Sequence, residues 1–330
     1  MKEFSQIFSE LSDDLKNVDD RILQFSHGKS PLISEITNHL VLSGGKRVRP
    51  ILHLLCAKLC GVSDLQGNYD LAAAIELIHT ATLLHDDVVD NSRSRRGKDT
   101  ANEIWDNKAP ILVGDYLFSI SFQLMVRSND MRVLDLLAKA SSIMADGEVM
   151  QLENSSDITL SKETYLDIIF GKTAILFSAA CESAGMLAKK SEQEILALRE
   201  FGKNLGIVFQ IVDDILDYSA SAKNLGKEIG DDFFEGKVTL PIIVAFEKGN
   251  AEERQLMSQI FMNNYDSVEE KNYDDFDKVM GIINKYNVLE FAKESADKYC
   301  EMALENLKIF ENGDISDLES ILKYCVKRIK

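Results

Sequence analysis

Two short clusters of aspartates are the first residues in this sequence whose types and spacing could do chemistry. The motif HDDVVD places Asp86 and Asp90 four residues apart, and QIVDDILD places Asp213 and Asp217 at the same spacing. On a helix, side chains four residues apart lie on one face about one turn from each other. Two carboxylates at that distance repel each other unless a cation lies between them. The pattern therefore predicts a binding site for divalent metal ions.

Each cluster follows an apolar segment with helical periodicity. Apolar residues recur at three- and four-residue steps in LAAAIELIHTATLL before the first cluster and in LGIVFQIV before the second. A single DDxxD motif is typical of a solvated acidic helix end, but two such motifs on apolar helices favour a metal site. Carboxylate oxygens suit Mg²⁺, which readily bridges to phosphate groups. An EF-hand is excluded because neither cluster has a central glycine and a closing glutamate.

Basic motifs near the clusters could bind a diphosphate. The segment GGKRVRP (44–50) places Lys46, Arg47 and Arg49 after a glycine turn at a predicted helix start, where backbone N–H groups also favour anions. His79 lies two turns before Asp86 on the same helix face, although a lone histidine in an apolar helix is often a core residue. Each lysine alone is more typical of a solvated surface. Further candidate donors are Arg95, Arg96, Lys172, Thr173, Lys227 and Lys237.

The elements that must position these side chains are helices. The 3.6-residue period dominates the chain, and β-branched runs bounded by tight turns are missing, so the sequence predicts an all-α fold. The predicted helical segments are 31–61, 71–90, 111–126, 132–153, 162–187, 193–218, 238–248 and 285–309. Breaks are predicted at 43–50, 91–100, 154–161 and 219–237, and a polar surface loop at 263–277. No linker is evident, which favours one helical domain.

Composition excludes several functional classes. The net charge of −17, from 37 basic and 54 acidic side chains, makes nucleic acid an improbable partner, because phosphate backbones need a basic footprint. No apolar run approaches the roughly 20 residues of a membrane span, and the acidic N-terminus is unlike a signal peptide. The five scattered cysteines are typical of free thiols in a reducing compartment. The sequence therefore predicts a soluble cytoplasmic protein.

Taken together, the motifs resemble those of the trans-isoprenyl diphosphate synthase family. GGKRVRP, DDVVD…RRG, GKT, FQIVDDILD and GK…GDD…GKVTLP occur in that family's order and approximate spacing over about residues 35–245, and the ending LESILKYCVKRIK is also similar. The resemblance implies one domain over 1–330, a large helical bundle of the isoprenoid synthase type with a deep central cavity. It also implies a homodimer that condenses isopentenyl diphosphate with an allylic diphosphate, with three Mg²⁺ ions bound beside the substrates.

The resemblance assigns roles to individual positions. Isopentenyl diphosphate would be bound by Lys46, Arg49, His79 and Arg96. The allylic diphosphate would be held by Arg95, Lys172, Thr173, Gln210, Lys227 and Lys237. Asp86 and Asp90 would ligate two Mg²⁺ ions and Asp213 a third, while Asp87, Asp214 and Asp217 would bind metal-bound waters. The residues expected to be catalytic are Asp86, Asp90, Lys172 and Asp213.

Product length should depend on the depth of the apolar pocket beneath the first cluster. In the family, the positions four and five residues before the first aspartate form the pocket floor, and here they are Thr82 and Ala81. Neither is aromatic, so the growing chain should pass, which favours a long product of octaprenyl length. Deeper stops could be formed by Ile78, Leu77 or Met144, among which the sequence does not decide.

Three rival functions remain within the same fold class, besides a short-chain synthase of the farnesyl or geranylgeranyl type. A non-catalytic regulatory subunit could have lost its aspartates or arginines, but this chain has both sets. A terpene cyclase needs no second diphosphate cradle, and Lys46, Arg49 and Arg96 predict one. An acidic helical scaffold would leave the paired clusters unexplained.

Overall fold

The structure is a computed structural model that describes residues 2–41, 45–95, 97–219, 229–264, 272–311 and 313–328. Within these ranges the chain is helical except for turns, loops and one hairpin of two-residue strands, which confirms the predicted all-α class. The chain divides into two compact units. The first contains Met1–Ser141, Leu176–Gly202 and Asn306–Ile321, and the second contains Ser142–Ile175, Lys203–Glu305 and Leu322–Lys330. The prediction of a single domain over 1–330 stays a prediction.

The elements follow one another in chain order. From the N-terminus they are α1 (Phe4–Glu10), α2 (Ser12–Phe25), α3 (Pro31–Val41), α4 (Val48–Leu59), α5 (Gln66–Val89), β1 (Ser94–Arg95), β2 (Lys98–Asp99), α6 (Ala101–Trp105), α7 (Lys108–Arg127) and α8 (Met131–Glu153). They continue with α9 (Lys162–Ile169), a π-helix (Phe170–Ala174), α10 (Ile175–Leu187), α11 (Glu192–Asp217), α12 (Asp231–Phe234), α13 (Leu240–Lys248), α14 (Ala251–Asn264), α15 (Tyr273–Lys285), α16 (Val288–Leu307) and α17 (Ser316–Lys327).

Helix α5 is the centre of the first unit's core. It packs against α2, α4 and α7, and its alanine-rich middle is completely buried from Leu71 to Ile75. Close approach to α7 depends on Gly114, because a Cβ there would collide with the ring of His85. This packing fixes the last turn of α5, which carries the first aspartate cluster.

An aromatic group anchors the end of α11 in the second unit. Phe233 contacts Phe261 and Phe276 with ring centroids 5.5 and 5.4 Å apart, and Tyr218 stacks on Phe276 at 6.3 Å. Such aromatic pairs contribute roughly 0.5–1.5 kcal/mol each beyond their buried area. Because Tyr218 directly follows Asp217, the group fixes the turn that ends the second aspartate cluster.

Several predicted boundaries are wrong. The loop expected over 263–277 gives way to α15 at Tyr273, where Asn272 caps the helix by accepting a hydrogen bond from the Asp275 backbone N–H. Acidic residues in a first turn favour a helix start, and here the same residues also resemble a polar loop in the sequence. The break expected over 43–50 ends early, because α4 begins at Val48 and tolerates proline in its first turn.

The hairpin at 94–99 and the π-helix are further features that hydrophobic periodicity did not predict. The expected break at 219–237 also contains the short helix α12, and residues 220–228 lie outside the described ranges. Two helical stretches, Lys108–Arg127 and Lys162–Leu187, are long and apolar enough to cross a membrane, although no such span was expected. In their most apolar windows 44% and 67% of the residues are buried inside the protein, as in core helices, so they are weak evidence for a span.

Candidate active site

The first aspartate cluster lies at the C-terminal end of α5. The backbone N–H of Asp90 donates to the carbonyl of Asp86 at 2.8 Å, so the two residues are one helical turn apart as predicted. Both side chains are partly exposed, whereas Asp87 between them is completely buried. The C-terminal end of a helix adds negative potential to these carboxylates, which increases their demand for cations.

Arg95 supplies one such cation. Its Nε and Nη2 donate to Oδ1 of Asp87 at 2.9 and 2.7 Å, while Oδ2 of Asp87 is buried and has no hydrogen-bond partner among the described residues. The β1–β2 hairpin positions Arg95 opposite Lys98, and its turn uses Gly97 at φ +74°, a conformation that favours glycine. Burial opposes the charge of Arg95, but the neighbouring carboxylates, led by Asp87, raise the pKa of its guanidinium.

The predicted cradle residues have different environments. Lys46 is exposed, whereas Arg49 is buried with its guanidinium 4.4 Å from the centroid of the Phe177 ring. Burial lowers the pKa of Arg49 to about 10, against the opposing charge of Glu76, so this guanidinium remains charged at neutral pH. Two of the expected participants, Gly44 and Arg96, lie outside the described residues.

A cavity in the first unit brings His79 and Arg95 together with Asp87 and Arg47. Sequence reasoning noted Arg47 as a third cation but gave it no role. The cavity is lined by His39, Leu40, Arg47, Glu76, His79, Thr80, Leu83, Asp87, Arg95, Lys98, Asp99 and Thr100. Among the described residues, Lys46 and Arg49 are not part of this lining. The structure thus brings His79 and Arg95, two of the predicted anion-binding residues, to one cavity.

The second aspartate cluster lies at the end of α11, and neutral donors contact its middle carboxyl group, that of Asp214. The Tyr165 hydroxyl donates to Oδ2 of Asp214 at 2.6 Å, and Nε2 of Gln210 donates to Oδ1 at 2.8 Å. The Thr173 hydroxyl in turn donates to Oε1 of Gln210 at 2.8 Å. This chain of hydrogen bonds connects two residues predicted to hold the allylic diphosphate with the middle aspartate.

Burial and the nearby charge of Asp232 raise the pKa of Asp214 to about 8, although the hydrogen bonds from Tyr165 and Gln210 act in the opposite direction. Tyr165 is a site residue that sequence reasoning missed. A tyrosine in an apolar helix needs a partner for its hydroxyl, but a partner 49 residues away in the chain leaves no mark in the local pattern.

Asp213 and Asp217 flank this buried carboxyl. Nη2 of Arg328 donates to Oδ1 of Asp213 at 3.0 Å, and the same guanidinium lies 5.3 Å from the ring centroid of Phe209. Asp217 accepts a hydrogen bond from the backbone N–H of Asp232 at 3.1 Å. Asp213 is thus the partly exposed member of the cluster, and its carboxylate already has a cation beside it.

The π-helix presents Lys172 and Thr173 from its wide turn. It can approach α8 closely only through two glycines: a Cβ on Gly147 would lie 2.6 Å from the backbone N of Lys172, and one on Gly171 would lie 3.0 Å from the Cα of Gly147. π-Helical turns are rare and occur frequently at functional sites. The crossing therefore sets where the backbone of Lys172 lies.

A second cavity is lined by three of the six predicted allylic-diphosphate residues, Lys172, Gln210 and Lys237. It is lined by Gln151, Asn154, Ser155, Leu160, Tyr165, Ile168, Ile169, Lys172, Gln210, Asp214, Asp232, Lys237, Val238 and Thr239. Both lysines form ion pairs. Nζ of Lys172 lies 2.9 Å from Oε2 of Glu148, and Nζ of Lys237 lies 2.6 Å from Oε2 of Glu235. Lys227, the remaining predicted lysine, lies outside the described residues.

The donor set of both clusters fits a hard divalent cation. Asp86, Asp90 and Asp213 offer carboxylate oxygens, and the Arg328 guanidinium beside Asp213 indicates that this carboxylate attracts positive charge. Across the part of the chain that the structure describes, no group of three or more His, Cys, Asp or Glu side chains could hold an ion by itself. An ion at either cluster would therefore complete its coordination with water or with diphosphate oxygens.

The residues predicted to control product length differ in exposure. Ala81 is completely buried, as are Leu77 and Ile78, and Met144 is nearly so. Thr82 is half-buried, and its hydroxyl donates to the His79 carbonyl at 2.8 Å within its own helix. The cavity of the first unit is lined by His79 and Thr80 rather than by Ala81 and Thr82. Their role as a pocket floor stays a prediction.

Comparison with known proteins adds a second line of evidence. A model of the polyprenyl synthetase family matches residues 30–275. The chain is 40% identical to an all-trans-nonaprenyl-diphosphate synthase (geranyl-diphosphate specific) from Rhodobacter capsulatus, with 99% of each chain covered. It is 36% identical to an octaprenyl diphosphate synthase from Haemophilus influenzae, with 94% of this chain and 92% of the relative covered.

Solved structures agree in fold. A polyprenyl synthase from Caulobacter crescentus, complexed with calcium and isoprenyl diphosphate, superimposes with a TM-score of 0.92 at 38% identity, covering 99% of this chain and 98% of that chain. Shorter-chain enzymes also match: a geranylgeranyl diphosphate synthase from Saccharolobus solfataricus is 33% identical, with 98% of this chain and 97% of the relative covered. The Caulobacter structure has the all-helical isoprenoid synthase fold that the sequence predicted.

Proposed function

The chain belongs to the polyprenyl synthetase family, whose members are trans-prenyltransferases, and from this premise we propose that it makes a long-chain all-trans polyprenyl diphosphate. Its substrates are isopentenyl diphosphate and an allylic diphosphate, and diphosphate is released at each addition. The observation that carries the proposal is the pair of aspartate clusters, in which Asp86, Asp90 and Asp213 are partly exposed. Basic side chains accompany both clusters: Arg95 contacts Asp87, and Lys172 and Lys237 line the same cavity as Asp214. Octaprenyl is the favoured product length.

The metal is Mg²⁺, with three ions bound when both substrates are present. Asp86 and Asp90 would hold two of them and Asp213 the third, in keeping with the preference of Mg²⁺ for a few carboxylates plus phosphate oxygens. When bound, such ions neutralise the diphosphate and stabilise the negative charge that develops as it departs. The calcium ion of the Caulobacter relative supports a divalent site in the family.

The protein's own side chains bind, orient and exclude water. Lys172, Thr173, Gln210 and Lys237 would hold the allylic diphosphate while its C–O bond breaks and the electron pair leaves with the diphosphate. Lys46, Arg49, His79 and Arg96 would hold isopentenyl diphosphate with its double bond facing the allylic carbon, where the new C–C bond forms. A proton is then lost to the departing diphosphate, and the apolar walls keep water from the cation.

Chain length is supported by two independent observations. The positions predicted to form the pocket floor carry Ala81 and Thr82, neither of which could stop a growing chain as an aromatic side chain would. The octaprenyl and nonaprenyl relatives are 36% and 40% identical to the chain, whereas the geranylgeranyl synthase is 33% identical. A short-chain product remains the main alternative, and a non-catalytic subunit of the same fold is the next.

The protein is proposed to act as a homodimer in the cytoplasm. Helix α8 carries an exposed stripe of small and apolar residues at alternating four- and three-residue steps, in which Val149 and Leu152 are 55% and 57% exposed. Such spacing is typical of a helix that packs against another helix. The stripe contains Ala138, Ser142, Ala145, Val149 and Leu152. Sedimentation of the purified protein would measure the oligomeric state, with a monomer contradicting the proposal.

The function is tested by supplying purified protein with Mg²⁺, labelled isopentenyl diphosphate and farnesyl diphosphate, then separating the products by length. We expect a ladder of polyprenyl diphosphates that ends near eight isoprene units and disappears when EDTA removes the metal. A product of three or four units would keep the reaction and contradict the pocket-floor argument. Folded protein that elongates no allylic primer would overturn the catalytic function and favour the non-catalytic subunit.

A further inference from the structure

Lys46, Arg47 and Arg49 form a run of cations in which Arg47 forms two ion pairs inside the protein. The Arg47 side chain is only 9% exposed, its Nη1 donates to Oε1 of Glu76 at 2.8 Å, and its Nε donates to Oδ1 of Asp19 at 3.1 Å. Lys46, directly before it, is exposed. The guanidinium of Arg47 therefore ties the cradle segment to α2 and α5.

The backbone at Arg47 shows why such a tie is needed. Arg47 has φ +47° and ψ +37°, in the left-handed region, immediately before α4 begins at Val48. This conformation is unfavourable for a residue with a side chain and persists only where surrounding contacts hold it. This bend turns the chain between Lys46 and Arg49. The contacts that hold Arg47 therefore also fix the positions of Lys46 and Arg49 relative to each other.

Glu76 is the central contact. It is buried on α5, one turn before His79, and its charge acts on both Arg47 and Arg49. Burial opposes the charge of Arg47, but Glu76 and Asp19 together raise its pKa. By Coulomb's law alone, a carboxylate at this cavity weakens the binding of an anion. Attraction to a diphosphate therefore does not explain why the buried Glu76 lies at this cavity.

We propose that Arg47 and Glu76 are a positioning pair that holds the cradle in the shape that binds isopentenyl diphosphate, and that Arg47 itself is not a ligand of the diphosphate. The inference rests on the proposed function, because it assigns this cradle to that substrate. It divides the run of three cations into Lys46 and Arg49, to which the family resemblance assigns the substrate, and Arg47, which shapes the segment between them.

The decisive variant is Glu76→Gln, which keeps the size of the side chain and removes its negative charge. A positioning role predicts that KM for isopentenyl diphosphate rises about tenfold, with kcat and KM for the allylic substrate nearly unchanged. A purely electrostatic role predicts the opposite sign, because removing a negative charge from the cavity strengthens anion binding. A KM that falls or stays unchanged would overturn the proposal.

Asp99→Asn is the matched control. Asp99 lines the same cavity, but its side chain is exposed. Loss of this negative charge should leave KM for isopentenyl diphosphate unchanged or lower it. If Asp99→Asn raised KM as much as Glu76→Gln, the effect would come from any change in the cavity rather than from the pair, and the proposal would be wrong.

A double variant distinguishes the two possible roles of Arg47. If the pair acts as a unit, Arg47→Gln raises KM as Glu76→Gln does, and the double variant is no worse than either single one. If Arg47 binds the diphosphate independently of Glu76, the two effects multiply in the double variant, which contradicts the proposal. Calorimetric titration with isopentenyl diphosphate in the absence of an allylic primer gives the same comparison without turnover.

Asp19→Asn covers the case in which Glu76→Gln does not fold. Asp19 is 41% exposed, so its replacement should leave the protein folded while removing one of the two ion pairs of Arg47. We expect KM for isopentenyl diphosphate to rise about twofold, and no rise would contradict the proposal. A wild-type protein without any condensation activity defeats the proposed function itself, whereas an active wild type with unaffected variants defeats only this inference.

Discussion

The two aspartate clusters share one sequence pattern and stabilise their middle carboxylates in different ways. In the first, Asp87 is completely buried and accepts two hydrogen bonds from the Arg95 guanidinium. In the second, Asp214 is equally buried but accepts from the neutral donors Tyr165 and Gln210, and its pKa rises to about 8. The same DDxxD spacing is thus compatible with a paired charge and with a carboxyl that favours its proton.

The difference shows that burial alone does not decide the state of an acidic group. A cation within hydrogen-bonding distance favours the charged form, whereas neutral donors compensate only part of the lost hydration. Asp232 adds a negative charge near Asp214, which moves its pKa further upward. Asp86, Asp90 and Asp213 are partly exposed, so the clusters differ at their centres and are alike at the positions expected to meet metal.

The largest expected effect tests whether Asp86 and Asp213 have equivalent roles. Asp86→Asn and Asp213→Asn each remove one negative charge from a predicted metal ligand, and each should lower kcat/KM by about 10²- to 10³-fold. Steady-state assays over a range of Mg²⁺ concentrations measure the loss. Unchanged thermal unfolding would show that the variants are folded. A loss of less than tenfold in only one variant would mean that the two outer aspartates do not have equivalent roles.

A buried imidazole on α4 extends the contrast between charged and neutral partners. Nδ1 of His53 lies 3.0 Å from the Ala180 carbonyl oxygen and 3.1 Å from the Ser183 hydroxyl oxygen. Burial lowers the pKa of this imidazole from 6.5 to about 4, although hydrogen bonds with Ala180 and Asn68 act in the opposite direction. The unfolded chain therefore binds a proton that the native chain does not between these values. Stability should rise with pH over this window and be lost, by about 3 kcal/mol, as pH falls from 6.5 to 4.

Urea unfolding of the wild type and of His53→Gln at several pH values would measure that contribution. Replacing a buried imidazole also changes the absolute stability, so the quantity to compare is the slope of stability with pH. We expect a flatter slope in the variant between pH 4 and 6.5 and parallel curves above that range. Parallel curves throughout would mean that the imidazole is protonated in the native state.

A smaller effect is expected where the cation partner of the first cluster is removed. Arg95→Gln leaves the Asp87 carboxylate buried without its guanidinium. Because the Arg95 side chain is 34% exposed, we expect a loss of about 2 kcal/mol, below the roughly 3–5 kcal/mol of a fully buried pair. Chemical unfolding without substrate measures it, with the exposed Arg93→Gln as control. Equal losses in both variants would contradict a specific pair.

The smallest expected effect is at the second cluster. Tyr165→Phe removes only the hydroxyl that donates to Asp214, while Gln210 continues to donate to the other oxygen. Since neutral hydrogen bonds contribute little net stability, we expect a loss of about 1 kcal/mol. Tyr273→Phe, at an exposed position, serves as the control. A loss larger than that of Arg95→Gln would reverse the comparison between the clusters.

The sequence was sufficient for the helices and the clusters because both depend on local spacing. Periodicity identified α5 and α11, and with them the one-turn spacing of the outer aspartates. It could not reveal that Arg328 contacts Asp213, since these residues are 115 positions apart in the chain. The family resemblance assigned a role to Arg49 and none to Arg47, but the sequence could not reveal that Arg47 has a left-handed backbone and forms ion pairs with residues far from it in the chain.

The contact between Gly147 and Gly171 limits how this protein can change over evolution. Most packing errors in a core can be relieved by a neighbouring side chain that shrinks or adopts another rotamer. At this crossing the nearest atoms are backbone atoms on both sides, so a second substitution has nothing to remove. A mutation to alanine or any larger residue can be accommodated only by moving the chain that carries Lys172. Substitutions at these two positions therefore cannot accumulate stepwise, whereas the apolar residues around them can be replaced one at a time.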